Sequence, residues 1–311
     1  MSTKVRKRDR RKGTPAAFLA RGRNVGSREL VACLGDSITA GGASFDWVAD
    51  LRTRLPTGSF EVVNGGVDGD LAWNVVQRLD DAIRCEPNVV ILLIGTNDVA
   101  ATYSATKAWG YRLQKRLDRA PTLGSYVENV STILRRLTTE TTARIAVLEI
   151  PMLGEDLQST MNQRVDTYNE ALREVAAAYG ATCLPLHDQL AALVPSGHRP
   201  RYAGKVGPIL RAVANHHVRR LSWDTAGERN GLAVLTDHVH LGERGGRVVV
   251  DLVSGYLGVA TTTTTGDLVG SVDRDEANGL PEESRRTKAD GAMRTAPETD
   301  SGLPQDGRGR T

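Results

Sequence analysis

From residue 29 to about residue 258 the chain alternates short, nearly continuous apolar runs with amphipathic segments. This alternation predicts an α/β domain, doubly wound about a parallel sheet. Two further observations point the same way. The apolar runs lack the strict in–out pattern of a half-exposed strand, as strands covered on both faces do. Several of them also end at turns rich in Gly, Asp and Asn, and the carboxyl ends of strands are where open α/β sheets place their ligands.

The strand candidates are residues 30–34, 60–63, 89–94, 145–150 and 182–186, a sheet of about five strands. After the first strand, Phe45, Val48, Leu51 and Leu55 recur at helical spacing. Tyr126, Val130, Ile133, Leu134 and Leu137 mark the apolar face of a second helix. Met161, Val165, Tyr168, Leu172, Val175 and Tyr179 mark a third, closed by Gly180 just past its end. A last helix is expected over about 245–257. Residues 99–124 and 195–231 interrupt the alternation as insertions. Segments of that length serve as lids or binding loops, although decorative surface helices are nearly as common.

The expected domain limits are therefore 1–28 for a basic, disordered arm, 29–258 for the folded domain, and 259–311 for a disordered tail. The arm carries Lys4, Arg6, Lys7, Arg8, Arg10, Arg11 and Lys12. A run of this kind is most often simply solvated, and weak contact with an anionic surface is the secondary reading. The tail is rich in Pro, Gly and charge and has no aromatic residue, so it lacks the apolar surface that would offset the entropy of ordering it.

The 40 basic and 37 acidic residues nearly balance, giving a net charge of +3, and a global nucleic-acid footprint is not indicated. No stretch reaches the roughly 18 apolar residues of a membrane span. The run Ala16-Ala17-Phe18-Leu19-Ala20 is shorter than the roughly 7 residues of a secretory core. Cys33, Cys85 and Cys183 cannot all pair with one another, and buried free thiols in a reducing compartment are the natural reading. These features point to the cytoplasm.

Four local patterns fall at or after positions where a strand should end. Gly35-Asp36-Ser37 follows the first strand, and Asn64-Gly65-Gly66-Val67-Asp68-Gly69-Asp70 follows the second. Gly95-Thr96-Asn97-Asp98 closes the third, and Asp237-His238-Val239-His240-Leu241 precedes the last helix. Each has a plain reading by itself: a capping serine, a Gly-rich turn, a capping asparagine. Together they hold the parts of a nucleophilic hydrolase. Ser37 supplies an oxygen nucleophile that needs a base. His240 can be that base, with Asp237 orienting its other ring nitrogen. The N–H groups of Ser37 and Gly69 and the side-chain amide of Asn97 can converge as an oxyanion hole.

On these residues the chain resembles the SGNH/GDSL hydrolase family, whose hallmark is one Ser, Gly, Asn and His in four separated blocks. Ser37, Gly69, Asn97 and His240 match those positions, and Asp237 matches the acidic member of the last block. The resemblance covers about residues 29–257. It implies a flavodoxin-like, three-layer α/β/α fold, a serine nucleophile, and hydrolysis of carboxylic esters, of esterase or lipase type, with no cofactor and no metal. The partner it implies is a small-molecule acyl ester. Lipids, lysophospholipids, thioesters and acetylated sugars all fall within its range, and a binding protein that keeps the fold without catalysis is the alternative from another class. Leu71 departs from the small hydroxyl residue many members carry there, which bears on pocket shape. Residues 148–155 also resemble the loop after the fourth strand of many relatives, with no chemical role evident.

His238 alternates with His240 and is expected to face a pocket rim or pack. A metal site built from His216, His217, His238, His240 and Asp237 is disfavoured, because the cluster lacks compact ligand spacing and the serine machinery already uses two of its members. His187 and His198 have no evident partner in the sequence.

Overall fold

In a computed structural model, which describes residues 13–22 and 28–259, five parallel strands form the centre of the molecule. They are β1 (Glu29–Gly35), β2 (Phe60–Gly66), β3 (Val89–Leu93), β4 (Arg144–Leu148) and β5 (Thr182–Leu184). Their order is β2-β1-β3-β4-β5, the flavodoxin-like arrangement. The chain lays β2 on one side of β1 and β3 on the other, so the carboxyl ends of β1 and β3 flank the point where the winding reverses. A ligand crevice is expected at such a switch point.

The period of two along the strands sorts their side chains between two apolar layers. In β1, Ala32 and Leu34 enter one layer while Val31 and Cys33 enter the other. In β3, Val90 and Leu92 oppose Val89, Ile91 and Leu93 in the same way. The first layer is covered by α4 (Ala72–Gln77), α5 (Leu79–Arg84), α6 (Thr96–Ala101), α8 (Leu123–Glu140) and α9 (Thr160–Ala178). The second is covered by α2 (Ser37–Ala40), α3 (Trp47–Arg54), α10 (Leu186–Ala191) and α13 (Glu243–Tyr256). Every strand of the sheet's middle is thus buried on both faces, which is why its sequence shows no alternation. Each fully buried Val or Leu of these layers contributes roughly 1.5–3 kcal/mol.

The long helices begin where the sequence offers caps. Thr122 and Ser125 form a reciprocal box at the start of α8, and Ser159 accepts from the Asn162 N–H at the start of α9. The stripe Tyr126, Val130, Ile133, Leu134, Leu137 is the buried face of α8.

Several expectations change in detail. The helix expected after the first strand is two helices, broken at Gly41-Gly42 and restarted at the Asp46 cap. β2 runs on through Asn64-Gly65-Gly66, which pair with Cys33-Leu34-Gly35 instead of turning at once. The absence of a side chain at Gly66 is required there, because a Cβ would stand 2.2 Å from the Ala40 nitrogen of α2. β5 stops at Leu184 because Pro185 starts α10. Cys183 is only half-buried, unlike Cys33 and Cys85, since β5 lies at the sheet edge.

Within the segment 1–28, expected to be a disordered arm, α1 (Pro15–Arg21) forms behind a Thr14 cap. Its Phe18 is buried against Leu30, Val63 and Cys85, and that apolar contact is what a wholly basic arm would lack. The basic run at residues 4–12 and the tail from residue 260 lie outside the described residues. The two insertions hold short helices: α7 (Ala105–Lys115) in the first, α11 (Gly207–His217) and α12 (Trp223–Glu228) in the second.

Candidate active site

β1 ends at Gly35, and Asp36 caps the following turn by accepting the Ile38 N–H at 2.9 Å. Ser37 is therefore the first residue of α2, and its own N–H has no partner within the helix. The Ser37 hydroxyl meets His240, whose Nε2 lies 2.8 Å from Oγ. On the far side of the ring, His240 Nδ1 lies 2.8 Å from Asp237 Oδ2. The turn that brings Asp237 and His240 together is held by Asp237 itself, since its Oδ1 accepts the Val239 and His240 N–H groups at 3.1 and 3.0 Å. His238 takes a left-handed backbone conformation at φ 76° to let the loop turn this tightly.

Burial by itself would depress the His240 imidazole, yet the Asp237 carboxylate and its hydrogen bond hold the pKa above the ordinary histidine value. Burial pushes Asp237 the other way, and its contacts with His240 bring it below the usual carboxylate range. An ionised carboxylate, an imidazole and a serine hydroxyl thus stand in line. Such an arrangement can take the hydroxyl proton onto Nε2 and stabilise the imidazolium that results.

The second and third blocks meet the first through Asn97. Its Nδ2 donates to the Asp70 carbonyl at 3.0 Å and makes a long 3.4 Å contact with Asp36 Oδ2. Asn97 is thereby tied to the neighbours of both Gly69 and Ser37. Gly69 sits in the turn after β2 with φ 71°, a conformation that favours glycine. Asp36 and Asp98 are buried beneath this network. Burial raises Asp36 to about 7 and Asp98 to about 8.

Several participants lie outside the four sequence blocks. Arg78 donates to Asp70 Oδ2, Gly65 O and Gly35 O at 2.8, 2.6 and 2.8 Å, and so ties the ends of β1 and β2 to the Gly69 turn. From α7, the Tyr111 hydroxyl donates to Asn97 Oδ1 at 2.7 Å and Lys115 Nζ reaches Asp70 Oδ1 at 3.0 Å. Glu155, in the loop of unassigned role, is fully buried. It accepts the Val234 and Leu235 N–H groups at 2.7 and 2.8 Å on Oε1 and that of Ala233 at 2.8 Å on Oε2. It therefore clamps the chain that leads into Asp237. These partners are set by tertiary approach over long sequence separations, and only the acidic end of the 148–155 loop hinted at one of them.

The remaining histidines lie elsewhere. The His216 ring stacks on Trp223 with centroids 3.9 Å apart, and His217 meets the same indole edge-on. His187 stands 3.3 Å from the Asp166 carboxylate, and His198 stands 2.7 Å from Glu155. His238 is half-buried, and burial lowers its pKa. Among the described residues, no three His, Cys, Asp or Glu side chains are grouped as metal ligands would be.

The model of the GDSL-like lipase/acylhydrolase family matches residues 33–248, and the chain belongs to that family. It is a hydrolase of ester bonds. The matched span takes in all four blocks. Among solved structures, Axe2, an acetylxylan esterase from Geobacillus stearothermophilus, superposes with a TM-score of 0.53 at 18% identity, covering 76% of this chain and 98% of that one. LAE5, an α/β hydrolase from the metagenome of Lake Arreo, gives 0.50 at 19% identity over 76% and 98%. The acetyl xylan esterase AlAXEase gives 0.52 at 18% identity over 73% and 99%. At these identities the likeness is one of fold. Comparison with curated protein sequences gives no match. No helix among the described residues is long and apolar enough to cross a membrane.

Proposed function

We propose that the chain cleaves carboxylic esters through a serine acyl-enzyme, with Ser37 as nucleophile, His240 as general base and Asp237 as its orienting carboxylate. The observation that carries this reading is the unbroken line Asp237–His240–Ser37, with both of its links at 2.8 Å. Ser37 Oγ attacks the ester carbonyl carbon as His240 Nε2 takes the hydroxyl proton. The carbonyl oxygen gathers negative charge and is met by the Ser37 and Gly69 N–H groups and by Asn97 Nδ2. Of the two Asn97 amide hydrogens, one is held by the Asp70 carbonyl, and the other, on the long contact to Asp36, is the one offered to the oxyanion. The tetrahedral adduct collapses, and the alcohol leaves with the proton from His240. Water then repeats the sequence on the acyl-enzyme and frees the acid.

The hydrolase domain in this reading is 29–258, and no cofactor takes part. Two of the structural neighbours are esterases of acetylated xylan, which favours a short acyl group. Cys33, Cys85 and Cys183 form no disulfide, which suits a reducing compartment such as the cytoplasm. A series of p-nitrophenyl esters from acetate to palmitate tests this reading. Turnover is expected to be greatest on acetate or propionate and to be lost in Ser37→Ala. A maximum on long chains would overturn the short-acyl assignment, and equal turnover by Ser37→Ala would overturn the nucleophile.

A further inference from the structure

Two stretches of the chain carry basic residues and no acidic ones. Residues 99–117 hold Lys107, Arg112, Lys115 and Arg116, and residues 189–223 hold Arg199, Arg201, Lys205, Arg211, Arg219 and Arg220. In the fold they are neighbours. The Tyr103 ring stands edge-on to Tyr202 with centroids 5.4 Å apart, and Lys107 Nζ reaches the Tyr202 hydroxyl at 3.1 Å. Large apolar side chains that remain in solvent gather on the same segments: Trp109 and Leu113 on α7 are 60% and 57% exposed, and Val206 and Leu210 at the start of α11 are 59% and 65% exposed.

The sidedness of α7 explains why they stay there. Lys107, Tyr111 and Lys115, four residues apart, all point inward, to Tyr202, Asn97 and Asp70 respectively. The 100° step of the helix then places Trp109 and Leu113 on the opposite side with Arg112 at its flank, Arg116 follows as the exposed residue that ends the helix, and α7 has no buried residue at all. An isolated exposed leucine needs no explanation. Here a tryptophan and a leucine one turn apart lie beside arginines, on a helix with no acidic residue.

We propose that this outward face of α7 docks on an anionic lipid surface. The composition is that of a helix lying in a membrane interface, with Trp and Leu entering the apolar boundary while Arg meets the headgroups. A second copy of the chain fits less well. A two-fold contact would bring two copies of this arginine-bearing, acid-free face together. Nucleic acid would satisfy the arginines but leave Leu113 with nothing to bury against. Because the inner side of α7 holds Asn97 and Asp70, docking by its outer side brings the active site to the membrane surface.

The test uses the full chain and sedimentation with vesicles of phosphatidylcholine containing phosphatidylglycerol, set against vesicles of phosphatidylcholine alone. Binding to the anionic vesicles only is expected, with a blue shift of tryptophan fluorescence that is lost in Trp109→Phe. The double variant Trp109→Ala/Leu113→Ala keeps every charge, including residues 4–12, and should bind ~10-fold more weakly or worse. Arg112→Gln/Arg116→Gln should weaken binding roughly 25-fold, at about fivefold for each basic residue lost. All these positions are exposed, and hydrolysis of p-nitrophenyl acetate in solution should be unchanged in both double variants. Wild-type binding by both would transfer the contact to another part of the chain and overturn the proposal, as would absence of binding to either vesicle. Loss of p-nitrophenyl acetate hydrolysis in Trp109→Ala/Leu113→Ala would make the face part of the substrate site and overturn it too. So would competition by a DNA duplex that wild-type chain prefers to the vesicles.

Discussion

The Tyr111 hydroxyl donates a 2.7 Å hydrogen bond to the side-chain oxygen of Asn97. Because that bond takes the oxygen and the Asp70 carbonyl takes one amide hydrogen, the Asn97 amide has one orientation in which both contacts are made. A residue of the first insertion thereby sets the direction of the donor proposed for the oxyanion. The insertion is part of the site's architecture.

Removing the Tyr111 hydroxyl should loosen this donor without removing it. Tyr111→Phe is expected to lower kcat by roughly 5–10-fold with little change in KM, the worth of about one hydrogen bond of positioning. Asn97→Ala should cost about 10²–10³ in kcat. In the double variant the tyrosine substitution should add nothing further, because its effect runs through Asn97. Full additivity in steady-state kinetics would show that Tyr111 acts on something else.

Glu155 should matter both for stability and for turnover. Its carboxylate satisfies the N–H groups of Ala233, Val234 and Leu235, just ahead of Asp237. Each buried N–H left unpaired costs about 1–3 kcal/mol. Glu155→Ala is therefore expected to lower Tm by several degrees and to reduce kcat by misplacing the Asp237–His240 turn. Thermal melts and kinetics on the same preparation check both. A variant with wild-type kcat would leave the clamp a purely structural device.

Activity should rise with pH. With His240 as the proposed base the reaction needs a neutral imidazole, and the Asp237 carboxylate holds its pKa above the ordinary 6.5, so kcat/KM should fall as pH drops through a midpoint above that value. In Asp237→Asn burial remains while the attraction is gone, so the midpoint moves down and turnover falls by about 10⁴. His238→Asn, which suits the left-handed backbone there, should keep near-normal turnover. The pH–rate profiles of the three proteins decide this, and a flat wild-type profile would count against a histidine base.

Stability should decline with rising pH for a separate reason. Asp36 and Asp98 ionise near the ordinary 3.8 when unfolded but at about 7 and about 8 when buried. Between those values the unfolded chain binds fewer protons, so the stability present at low pH is lost as pH climbs through the folded values. Asp98→Asn keeps an oxygen for the Ala72 N–H, 3.1 Å away in the native fold, and cannot ionise. Its Tm should fall less between pH 5 and pH 8 than that of the parent. Parallel melting curves would contradict the assignment.

Much of this architecture was legible in the residues, for definable reasons. Buried strands such as 89–94 read clearly because both faces are covered, and the stripe from Tyr126 to Leu137 read clearly because one face of a long helix is buried. The order β2-β1-β3-β4-β5 was accessible through the family resemblance, whereas periodicity alone says nothing about which strands adjoin. Asp237 and His240 stood out because a turn of three residues sets their geometry locally. Tyr111, Lys115, Arg78 and Glu155 did not stand out, because each meets its partner across a distance in sequence that no local pattern records. The α1 helix carries little signal because its one fully buried residue, Phe18, lies between basic segments.

The central claim is that Ser37 is the nucleophile activated by His240. Labelling of the full chain with a fluorophosphonate, followed by peptide mass spectrometry, tests it most directly. The account predicts one adduct, on the peptide containing Ser37, absent in Ser37→Ala and strongly slowed in His240→Ala while circular dichroism shows both variants folded. An adduct on any other residue, or undiminished labelling of Ser37→Ala, would contradict it.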